Sequence, residues 1–541
     1  GSSPGDGGGG AARGAGELRP GARVAVGGVV CEITKPLGMG SFGVVWAAEA
    51  SPPAGGIAVK EIRCRSQQEA ERAAYEADLL RGLTHAGAAC RLPAFVASEM
   101  ARLPDGSCRL RLAMARLRGE PLDKFLHERR AQADKSGVHA GPSKSLVVQQ
   151  ASEAFRFSLS LVSQLAPTLA RVAALAYHRD VNAHNILVAA PPAAAQAGGA
   201  GSGEPQYGLV DFGLAVDATR WMDPSTSNPY GNSDWEFQDV GGDCRYWPTS
   251  AWRQFEVGCF GLTESPELCA EYQTHLDLQG LGITALQVLA EMLPLREALA
   301  RQEAAAGEEA NAASWRALQA LQDAWSDYWE HATRFWKRLL SMFRHGGDWG
   351  ALKAEFVAGR VHGVVSQRLQ IVRQALENLE RSCRLAVASV PFAGDALALS
   401  PALRVAISAG EARPRPTVWG DVLEPLHAAR AGGQPPIRSP RRHLSWQAID
   451  AQQLLLPPRR SAYSSPQPRR PSHPSPRRLS PAASPTRAST PRVLQFGQSP
   501  RSASPTQPSP AREPPAAPAP AGPALAPAAP ALAAPALAAL A

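Results

Sequence analysis

Four polar residues spread along the chain are of the types that nucleotide chemistry requires. Lys60 ends the strand-like run Ala58-Val59-Lys60, where its ammonium could reach nucleotide phosphates. Asp180 and Asn185 lie in one short segment, and Asp211 follows an apolar run. Carboxylate and amide oxygens are hard ligands suited to Mg²⁺, and a carboxylate can accept or orient a hydroxyl proton. Together these groups are what phosphoryl transfer from a magnesium nucleotide needs.

A glycine-rich stretch precedes Lys60 and reads Gly38-Met39-Gly40-Ser41-Phe42-Gly43. Its glycines would let backbone N–H groups approach phosphates without interference from Cβ atoms. It lies between two strand-like segments rather than before a helix, which disfavours a dinucleotide-binding fingerprint. An ordinary Gly-rich hairpin also explains the stretch, so its meaning depends on the residues that follow.

Lys60 needs a buried anion if it lies in a buried strand. Glu76 is the expected partner, because it lies on a helix predicted from Gln67 to Leu83. The helix is indicated by an apolar stripe at helical spacing. The stripe consists of Ala73, Ala77, Leu80 and Leu83.

The segment Tyr177-His178-Arg179-Asp180-Val181-Asn182-Ala183-His184-Asn185-Ile186-Leu187 resembles the catalytic loop of eukaryotic protein kinases. That loop reads His-Arg-Asp, four residues, Asn and two apolar residues. Asp211-Phe212-Gly213 is similar to the magnesium-binding tripeptide of the same family, and the resemblance spans about Cys31 to Met292. It implies an α+β, bilobal protein-kinase-like fold with a small β-rich N-lobe and a larger helical C-lobe. It also implies ATP and Mg²⁺ as cofactors.

The resemblance assigns a role to each matching residue. Asp180, Lys60 and Asn185 would be catalytic, and Asn185 and Asp211 would hold the metal. The residues implied to bind the nucleotide are Gly38, Gly40, Gly43, Val45, Ala58, Lys60, Glu76, Met114 and Leu187.

Further positions match structural parts of the same family. Met114 precedes the hinge Ala115 to Leu117, whose backbone would meet the adenine edge. Asp277 matches an Asp that anchors the backbone of the catalytic loop. Leu80, His178 and Phe212 match a column of side chains that aligns the helix of Glu76 with the magnesium-binding tripeptide.

The chain departs from the family at positions that assist the catalytic residues or anchor the substrate-binding segment. Asn182 stands where Ser/Thr kinases usually carry Lys, and His184 stands where tyrosine kinases place Arg. In Gly242-Asp243-Cys244-Arg245-Tyr246-Trp247-Pro248, Asp243 replaces the usual Thr and no Glu follows Pro248. We predict a hydrogen bond between the Asn182 amide and the Asp243 carboxylate in place of the usual Lys and Thr pair. The missing Glu predicts a less firmly anchored segment and weaker docking of a peptide substrate.

Composition divides the chain into four parts. Residues 1–22 are a Gly-rich lead with little to bury, 23–116 are the N-lobe, and 117–426 are the C-lobe with a helical insert or extension after 293. Within the C-lobe, residues 277–292 are apolar on most faces, which predicts a buried helix. An aromatic stripe at helical spacing from Leu318 to Phe343 predicts a packed helix, and a helical pattern continues from Leu352 to about Ala386. Residues 427–541 are rich in Pro, Ser, Arg and Ala, and a segment of this composition is predicted to be disordered. Ser225, Thr226, Ser227 and Ser233, in the loop after Asp217, are possible phosphorylation sites.

The positive charge of the chain lies in this C-terminal tail. From residue 431 onward, the chain has 13 Arg, no Lys, and only Asp450 and Glu513 as acidic residues, so the tail carries a charge of +11. Because the formal net charge of the whole chain is +8, the remaining residues sum to −3. Any attraction to nucleic acid or anionic surfaces therefore belongs to the tail, and no specific nucleic-acid partner is indicated. The tail contains nine Ser/Thr-Pro dipeptides, and it is either a solvated linker or a target of proline-directed kinases. The dipeptides begin at Ser439, Ser465, Ser475, Ser480, Ser484, Thr490, Ser499, Ser504 and Ser509.

The cysteines and the apolar runs bear on the compartment. Eight cysteines are scattered without a Cys-x-x-Cys pair, which is typical of a reducing environment rather than a disulfide framework. Pro interrupts the Ala-rich end too often for a transmembrane helix, and no secretory signal is evident at the first residues. We expect an intracellular protein of the cytoplasm or nucleus.

Three functions compete at this point. The first is an ATP-dependent protein kinase that acts on a Ser or Thr hydroxyl of a protein substrate and has low activity because accessory groups are missing. The second is a nucleotide-binding pseudokinase that acts as a scaffold through its basic tail. The third, a small-molecule kinase, is disfavoured by the intact Asp211-Phe212-Gly213 and the Asp277 segment. Neither the substrate nor the oligomeric state follows from the sequence.

Overall fold

The strands of the first part of the chain form one antiparallel sheet because short β-branched runs alternate with turn residues. The computed structural model describes residues 18–40, 43–51, 56–87, 90–136, 143–189, 204–218, 240–410 and 417–430. Within them, the sheet has the order β1-β2-β3-β4-β6-β5. Its strands are β1 (Arg23–Val26), β2 (Val29–Gly40), β3 (Gly43–Ser51), β4 (Gly56–Cys64), β5 (Phe95–Arg102) and β6 (Cys108–Ala115).

Helix α1 (Gln67–His85) packs on one face of this sheet. It begins where Ser66 accepts a hydrogen bond from the Glu69 N–H over 3.1 Å, an N-cap that satisfies one of the free donors of the first turn. The predicted stripe from Ala73 to Leu83 is buried, and Glu76 lies on the same buried face. The other face of the sheet covers a second, smaller core that includes Leu18, which shows that packing begins within the predicted lead.

Short strands frame the loops that carry the predicted chemistry. β7 (Glu120–Pro121), β9 (Ile186–Ala189) and β10 (Gln206–Leu209) form one small sheet in the order β10-β9-β7. β8 (Ala176–Tyr177) pairs with β11 (Val216–Asp217). The loop from His178 to Asn185, called the catalytic loop below, therefore runs between β8 and β9.

The rest of the described chain is helical. The helices are α2 (Leu122–Ser136), α3 (Lys144–Val172), α4 (Thr249–Thr263), α5 (Pro266–Met292), α6 (Arg296–Ala304), α7 (Glu309–His345), α8 (Trp349–Ala358), α9 (Val361–Leu385), α10 (Ala393–Ala406) and α11 (Trp419–Arg430). The helix predicted for residues 277–292 is buried on most faces, as expected, and begins earlier, at Pro266.

The region after residue 293 belongs to the same core. α9 packs against α7, and α10 packs against α3. The predicted aromatic stripe of α7 is buried at Trp325 and Trp336 but ends before Phe343, whose side chain is 61% exposed. The helical pattern predicted from Leu352 to Ala386 is interrupted after α8, where Arg360 adopts a left-handed conformation with φ 48°.

Among the described residues, no single helix is long and apolar enough to cross a bilayer. Two consecutive helical segments, Thr274–Met292 and Arg296–Ala304, are together long and apolar enough to span a bilayer, but their axes are bent by 71° relative to each other. Their residues Leu281, Leu289 and Leu299 are buried in the core of the fold.

Several predictions concern residues outside the described ranges. These are Ser41 and Phe42 of the glycine stretch, the loop residues Ser225, Thr226, Ser227 and Ser233, most of the predicted lead, and the tail from residue 431.

Candidate active site

Lys60 lies at the centre of a buried cluster of charges. It is 4% exposed on β4, and its Nζ donates to both carboxylate oxygens of Glu76, at 2.8 and 2.9 Å. The same Nζ donates to Asp211 Oδ1 over 2.7 Å. The Lys60 ammonium thus joins the sheet, helix α1 and the segment after β10. The sequence predicted the pairing of Lys60 with Glu76, and the structure shows it.

The electrostatics of the cluster favour the charged forms of Lys60 and Asp211, whereas burial raises the pKa of Glu76 above its usual value and Lys60 opposes this shift. Burial lowers the pKa of Lys60, but the charges of Glu76 and Asp211 outweigh it, and the pKa is raised. Burial opposes ionisation of Asp211 as well, yet the Lys60 ammonium and the N–H of Gly213 hold the pKa of Asp211 below its usual value. A fixed ammonium of this kind suits the binding of phosphate oxygens.

Asp277 of helix α5 anchors the backbone of the catalytic loop. Its two carboxylate oxygens accept the backbone N–H groups of His178 and Arg179, each over 2.8 Å. Arg179 has φ 66°, a left-handed conformation that costs energy for a residue with a side chain and persists only where its surroundings hold it. The arrangement agrees with the anchoring role implied for Asp277.

His178 ties the loop to the segment of Asp211. Its Nε2 lies 3.2 Å from the Val210 carbonyl oxygen. Its ring meets Phe212 edge to face at 4.6 Å between centroids. Leu80, His178 and Phe212 are all buried, so Asp180 and Asp211 are positioned by one continuous core.

The Asp180 carboxylate is held by three donors. The Asn182 Nδ2 donates to Oδ1 over 2.8 Å, the Asn185 Nδ2 donates to Oδ2 over 2.7 Å, and the Asp243 backbone N–H donates to Oδ1 over 3.2 Å. Burial raises the pKa of Asp180 to about 6, the charges of Asp211 and Asp243 add to this, and His178 opposes it. A carboxylate with a pKa in this range suits proton transfer near neutral pH.

The predicted hydrogen bond between the side chains of Asn182 and Asp243 is wrong. The Asn182 amide donates to Asp180 instead, and its Oδ1 accepts the N–H groups of His184 and Asn185, at 2.9 and 3.0 Å. The Asp243 carboxylate is taken by Arg245, whose Nε donates to both of its oxygens, at 3.0 and 2.9 Å. A guanidinium matches a carboxylate in charge and shape, so it outcompetes a neutral amide.

Two oxygens in the site fit the Mg²⁺ ion that the sequence predicts. Asn185 uses its Nδ2 on Asp180, and Asp211 uses its Oδ1 on Lys60 and Gly213. In the described part of the chain, Asn185 Oδ1 and Asp211 Oδ2 accept no hydrogen bond. Mg²⁺ in nucleotide sites takes one or two such oxygens and completes its shell with phosphates and water, so these residues fit the ion.

The residues predicted to hold adenine lie on facing elements. Ala58 pairs with Met114 across β4 and β6, and both are buried. Val45 of β3 and Leu187 of β9 are half-buried. These apolar groups come from both lobes, in keeping with a site between them.

The hinge after β6 leaves one N–H group for a ligand. The N–H of Ala115 donates to the Ala94 oxygen over 2.7 Å, and the N–H of Arg116 donates to the Gly56 oxygen over 2.9 Å. Among the described residues, the N–H of Leu117 has no such backbone partner. Of the three predicted hinge residues, Leu117 is therefore the available donor.

The glycines of the predicted phosphate-binding stretch differ in whether the surrounding structure leaves room for a side chain. β2 and β3 stay paired up to Gly40 and Gly43. A Cβ on Gly43 would lie 2.0 Å from the Glu61 carbonyl oxygen, and its φ is 150°. No described atom lies within 4 Å of a Cβ built on Gly38. The close approach of β4 therefore requires Gly43, whereas packing does not require Gly38.

Sequence reasoning missed two polar contacts beside the site. His184 Nδ1 lies 3.3 Å from Asp123 Oδ2 at the start of α2, and this contact raises the pKa of His184. Glu271 of α5 accepts the Ser250 N–H over 2.9 Å and the Ser408 hydroxyl. Glu271 thus anchors the start of α4 where the family's Glu after Pro248 is missing. Neither contact has a local signal, because the partners are far apart in sequence.

Comparison with known proteins agrees with this geometry. Residues 31–232 match the family model described as protein tyrosine and serine/threonine kinase. No curated protein matches the chain.

Proposed function

Because the chain is a member of the eukaryotic protein kinase superfamily through residues 31–232, we propose that it transfers the γ-phosphoryl group of ATP to a Ser or Thr hydroxyl of a protein substrate. The observation that carries the proposal is the convergence of Glu76 and Asp211 on the buried Lys60 ammonium. The packing of apolar side chains does not explain why three ionisable groups are brought together at this place.

Lys60 and Glu76 position the nucleotide. The ammonium is held between two carboxylates within hydrogen-bond distance, so it is fixed before a phosphate arrives. A preorganised cation needs little reorganisation when charge develops on the transferred group. Bound at Asn185 and Asp211, Mg²⁺ would supply charge neutralisation of the phosphate oxygens.

Asp180 accepts or orients the proton of the substrate hydroxyl. Both of its oxygens are held by amide donors, from Asn182 and Asn185, which fix the carboxylate in one orientation. With its pKa raised to about 6, the group is ionised at neutral pH and still basic enough to take a proton.

The preference for Ser and Thr is supported by the residue that replaces the tyrosine-kinase Arg. His184 fills that position and is engaged by Asp123. Asn182 fills the position of the Ser/Thr-kinase Lys and contacts Asp180, as an accessory group of the catalytic loop would. Because Asn182 is neutral, we expect a lower rate than a Lys at this position would give.

The test is phosphotransfer from γ-labelled ATP to peptide libraries, with ATP binding measured separately by calorimetry. The native chain should label Ser and Thr peptides and require Mg²⁺. Asp180→Asn, which keeps the size of the side chain but removes its basicity, should lower the rate by about 100-fold or more while ATP binding persists.

The outcomes separate the competing functions. ATP binding without transfer to any peptide would contradict the proposal and favour a pseudokinase scaffold. Label on tyrosine alone would overturn the Ser/Thr assignment, and label on a metabolite alone would indicate a small-molecule kinase.

A further inference from the structure

Residues 241–248 form a short turn beside the candidate catalytic base. Within the turn, the Asp243 carbonyl oxygen accepts the Tyr246 N–H over 3.0 Å. At its start, the Asp243 N–H donates to Asp180 Oδ1 over 3.2 Å. The turn thus supplies one of the three donors that hold the Asp180 carboxylate.

The backbone of this turn needs an anchor because two glycines, Gly241 and Gly242, precede Asp243. Gly242 has φ 83°, and glycine enters and leaves such a conformation easily because it has no Cβ. The Asp243 N–H keeps its direction toward Asp180 while Asp243 itself is fixed. A contact that holds the Asp243 side chain therefore also holds this hydrogen bond.

Arg245 provides that contact. Its Nε donates to both Asp243 carboxylate oxygens, at 3.0 and 2.9 Å, and its Nη2 donates to Oδ2. Its backbone N–H donates to Oδ1 over 3.0 Å. The side chains of Arg245 and Asp243 are 22% and 9% exposed, so solvent ions screen the pair little. Both oxygens of the carboxylate are thereby fixed.

Helix α7 holds Arg245 in turn. The guanidinium carbon lies 4.9 Å from the centroid of the Trp329 ring and 6.0 Å from that of Trp336. A guanidinium is attracted to the face of an aromatic ring at such distances. The buried Tyr328 donates its hydroxyl to the Arg245 carbonyl oxygen over 2.6 Å. The helix thus contacts both the side chain and the backbone of Arg245.

Both Arg245 and α7 lie beyond residues 31–232, the part that matches the family model. A partly buried ion pair is often no more stable than apolar side chains of similar volume, so packing alone does not explain the choice of Arg and Asp. We propose that Arg245, held by helix α7, is a positioning residue that keeps the Asp180 carboxylate in place. The role rests on the proposed function, in which Asp180 receives the proton of the substrate hydroxyl.

The first arm of the test measures phosphotransfer by the full chain. Arg245→Gln keeps a donor but loses the charge and the forked shape, so kcat should fall about tenfold or more as Asp180 loses its position. The KM for ATP should change less than about twofold, since Lys60 and Glu76 are unaltered. Arg245→Lys keeps the charge without the fork and should restore part of the lost rate.

The second arm does not depend on catalysis. In Arg245→Gln, hydrogen exchange should become about threefold faster or more in residues 178–185 and 240–248, because both segments lose an anchor. Tyr328→Phe removes the hydroxyl that α7 donates and keeps the ring. It should raise exchange in the same two segments and lower kcat, although the change lies in a helix outside them.

Arg404→Gln is the matched control. Arg404 joins α10 to α9 through an ion pair with Glu380 over 2.7 Å, and its side chain is 32% exposed. Its loss breaks an ion pair of comparable burial in another part of the helical region. It should lower the free energy of unfolding in urea but leave kcat and the exchange of residues 178–185 and 240–248 as in the native chain.

Two results would overturn the proposal. One is native exchange in residues 178–185 of both Arg245→Gln and Tyr328→Phe, and the other is an equal loss of kcat in Arg404→Gln. If the native chain labels no peptide, the proposed function fails, while the exchange measurement still decides whether Arg245 holds the catalytic loop. The two failures are therefore distinguishable.

Discussion

The Asn182 side-chain amide donates to Asp180 Oδ1 over 2.8 Å, while the Asn182 Oδ1 accepts two backbone N–H groups of the same loop. One neutral residue thereby orients the candidate base and closes the turn that carries it. Asn182 stands where Ser/Thr kinases usually carry Lys, and in this chain its side chain holds Asp180 in place.

Asn182→Asp tests this orienting role. The variant keeps an oxygen for the His184 and Asn185 N–H groups but loses the donor to Asp180 and places a second negative charge beside it. We expect kcat to fall about 100-fold, the typical cost of misplacing a reacting group, with little change in the KM for ATP. Steady-state kinetics measure both constants, and an unchanged kcat would show that the contact has no catalytic role.

The pH profile of phosphotransfer should report Asp180 on its acid side. Burial raises the pKa of Asp180 to about 6, and only the ionised form can accept a proton. The rate should therefore be full above this pKa and fall as the pH drops through about 6. Measuring kcat between pH 5 and pH 8 checks this, and a rate that stays flat down to pH 5 would contradict the role of Asp180 as base.

His184 should govern the alkaline side of the same profile. Its hydrogen bond to Asp123 raises its pKa above the ordinary value of 6.5, burial opposes this, and the charges of Asp123, Asp180 and Asp211 add to it. The protonated ring supplies a positive charge close to the site, so the rate should decline as the pH rises through the raised pKa.

Asp123→Asn is the matched variant for this effect. It removes the principal cause of the raised pKa, so the alkaline decline should move to lower pH, whereas His184→Gln should abolish that decline and lower the rate at neutral pH. An alkaline limb that stays in place in both variants would exclude His184 as its origin.

Gly242 should tolerate no side chain. Its φ is +83°, and a Cβ would lie 2.7 Å from Asp180 Oδ1 and 2.8 Å from the Arg179 carbonyl oxygen. Gly242→Ala must displace the candidate base, and the left-handed conformation adds strain of about 1–3 kcal/mol. We expect phosphotransfer to fall at least 10-fold, together with a lower free energy of unfolding in urea.

The neighbouring glycine provides the control. A Cβ on Gly241 would meet the Leu214 side chain at 3.2 Å, and its backbone is not left-handed. Gly241→Ala should therefore retain most of the activity. If both variants lose activity equally, crowding of Asp180 is not the cause.

The sequence predicted much of the fold because its signals are local. The stripe of α1, the buried helix α5 and the strands around Lys60 follow from periodicity along short stretches, and each lies near its expected position. Boundaries were less predictable, as the break at Arg360 shows, because a left-handed residue leaves no mark on an apolar pattern. The partners of Asn182 and Asp243 were predicted wrongly because Arg245, two residues beyond Asp243, binds that carboxylate more strongly than an amide can.

By itself, the sequence determined which charged groups the molecule has and in what order: Lys60, Glu76, Asp180, Asn185 and Asp211. The sequence also predicted the pairing of Lys60 with Glu76, but only the tertiary structure decided that Lys60 meets Asp211, which lies 151 positions away in the chain. The same holds for the anchor that Glu271 gives to Ser250 and Ser408. Hydrogen bonds and ion pairs act over a few ångströms in space, so their partners are set by the packing of distant segments rather than by neighbours in the chain.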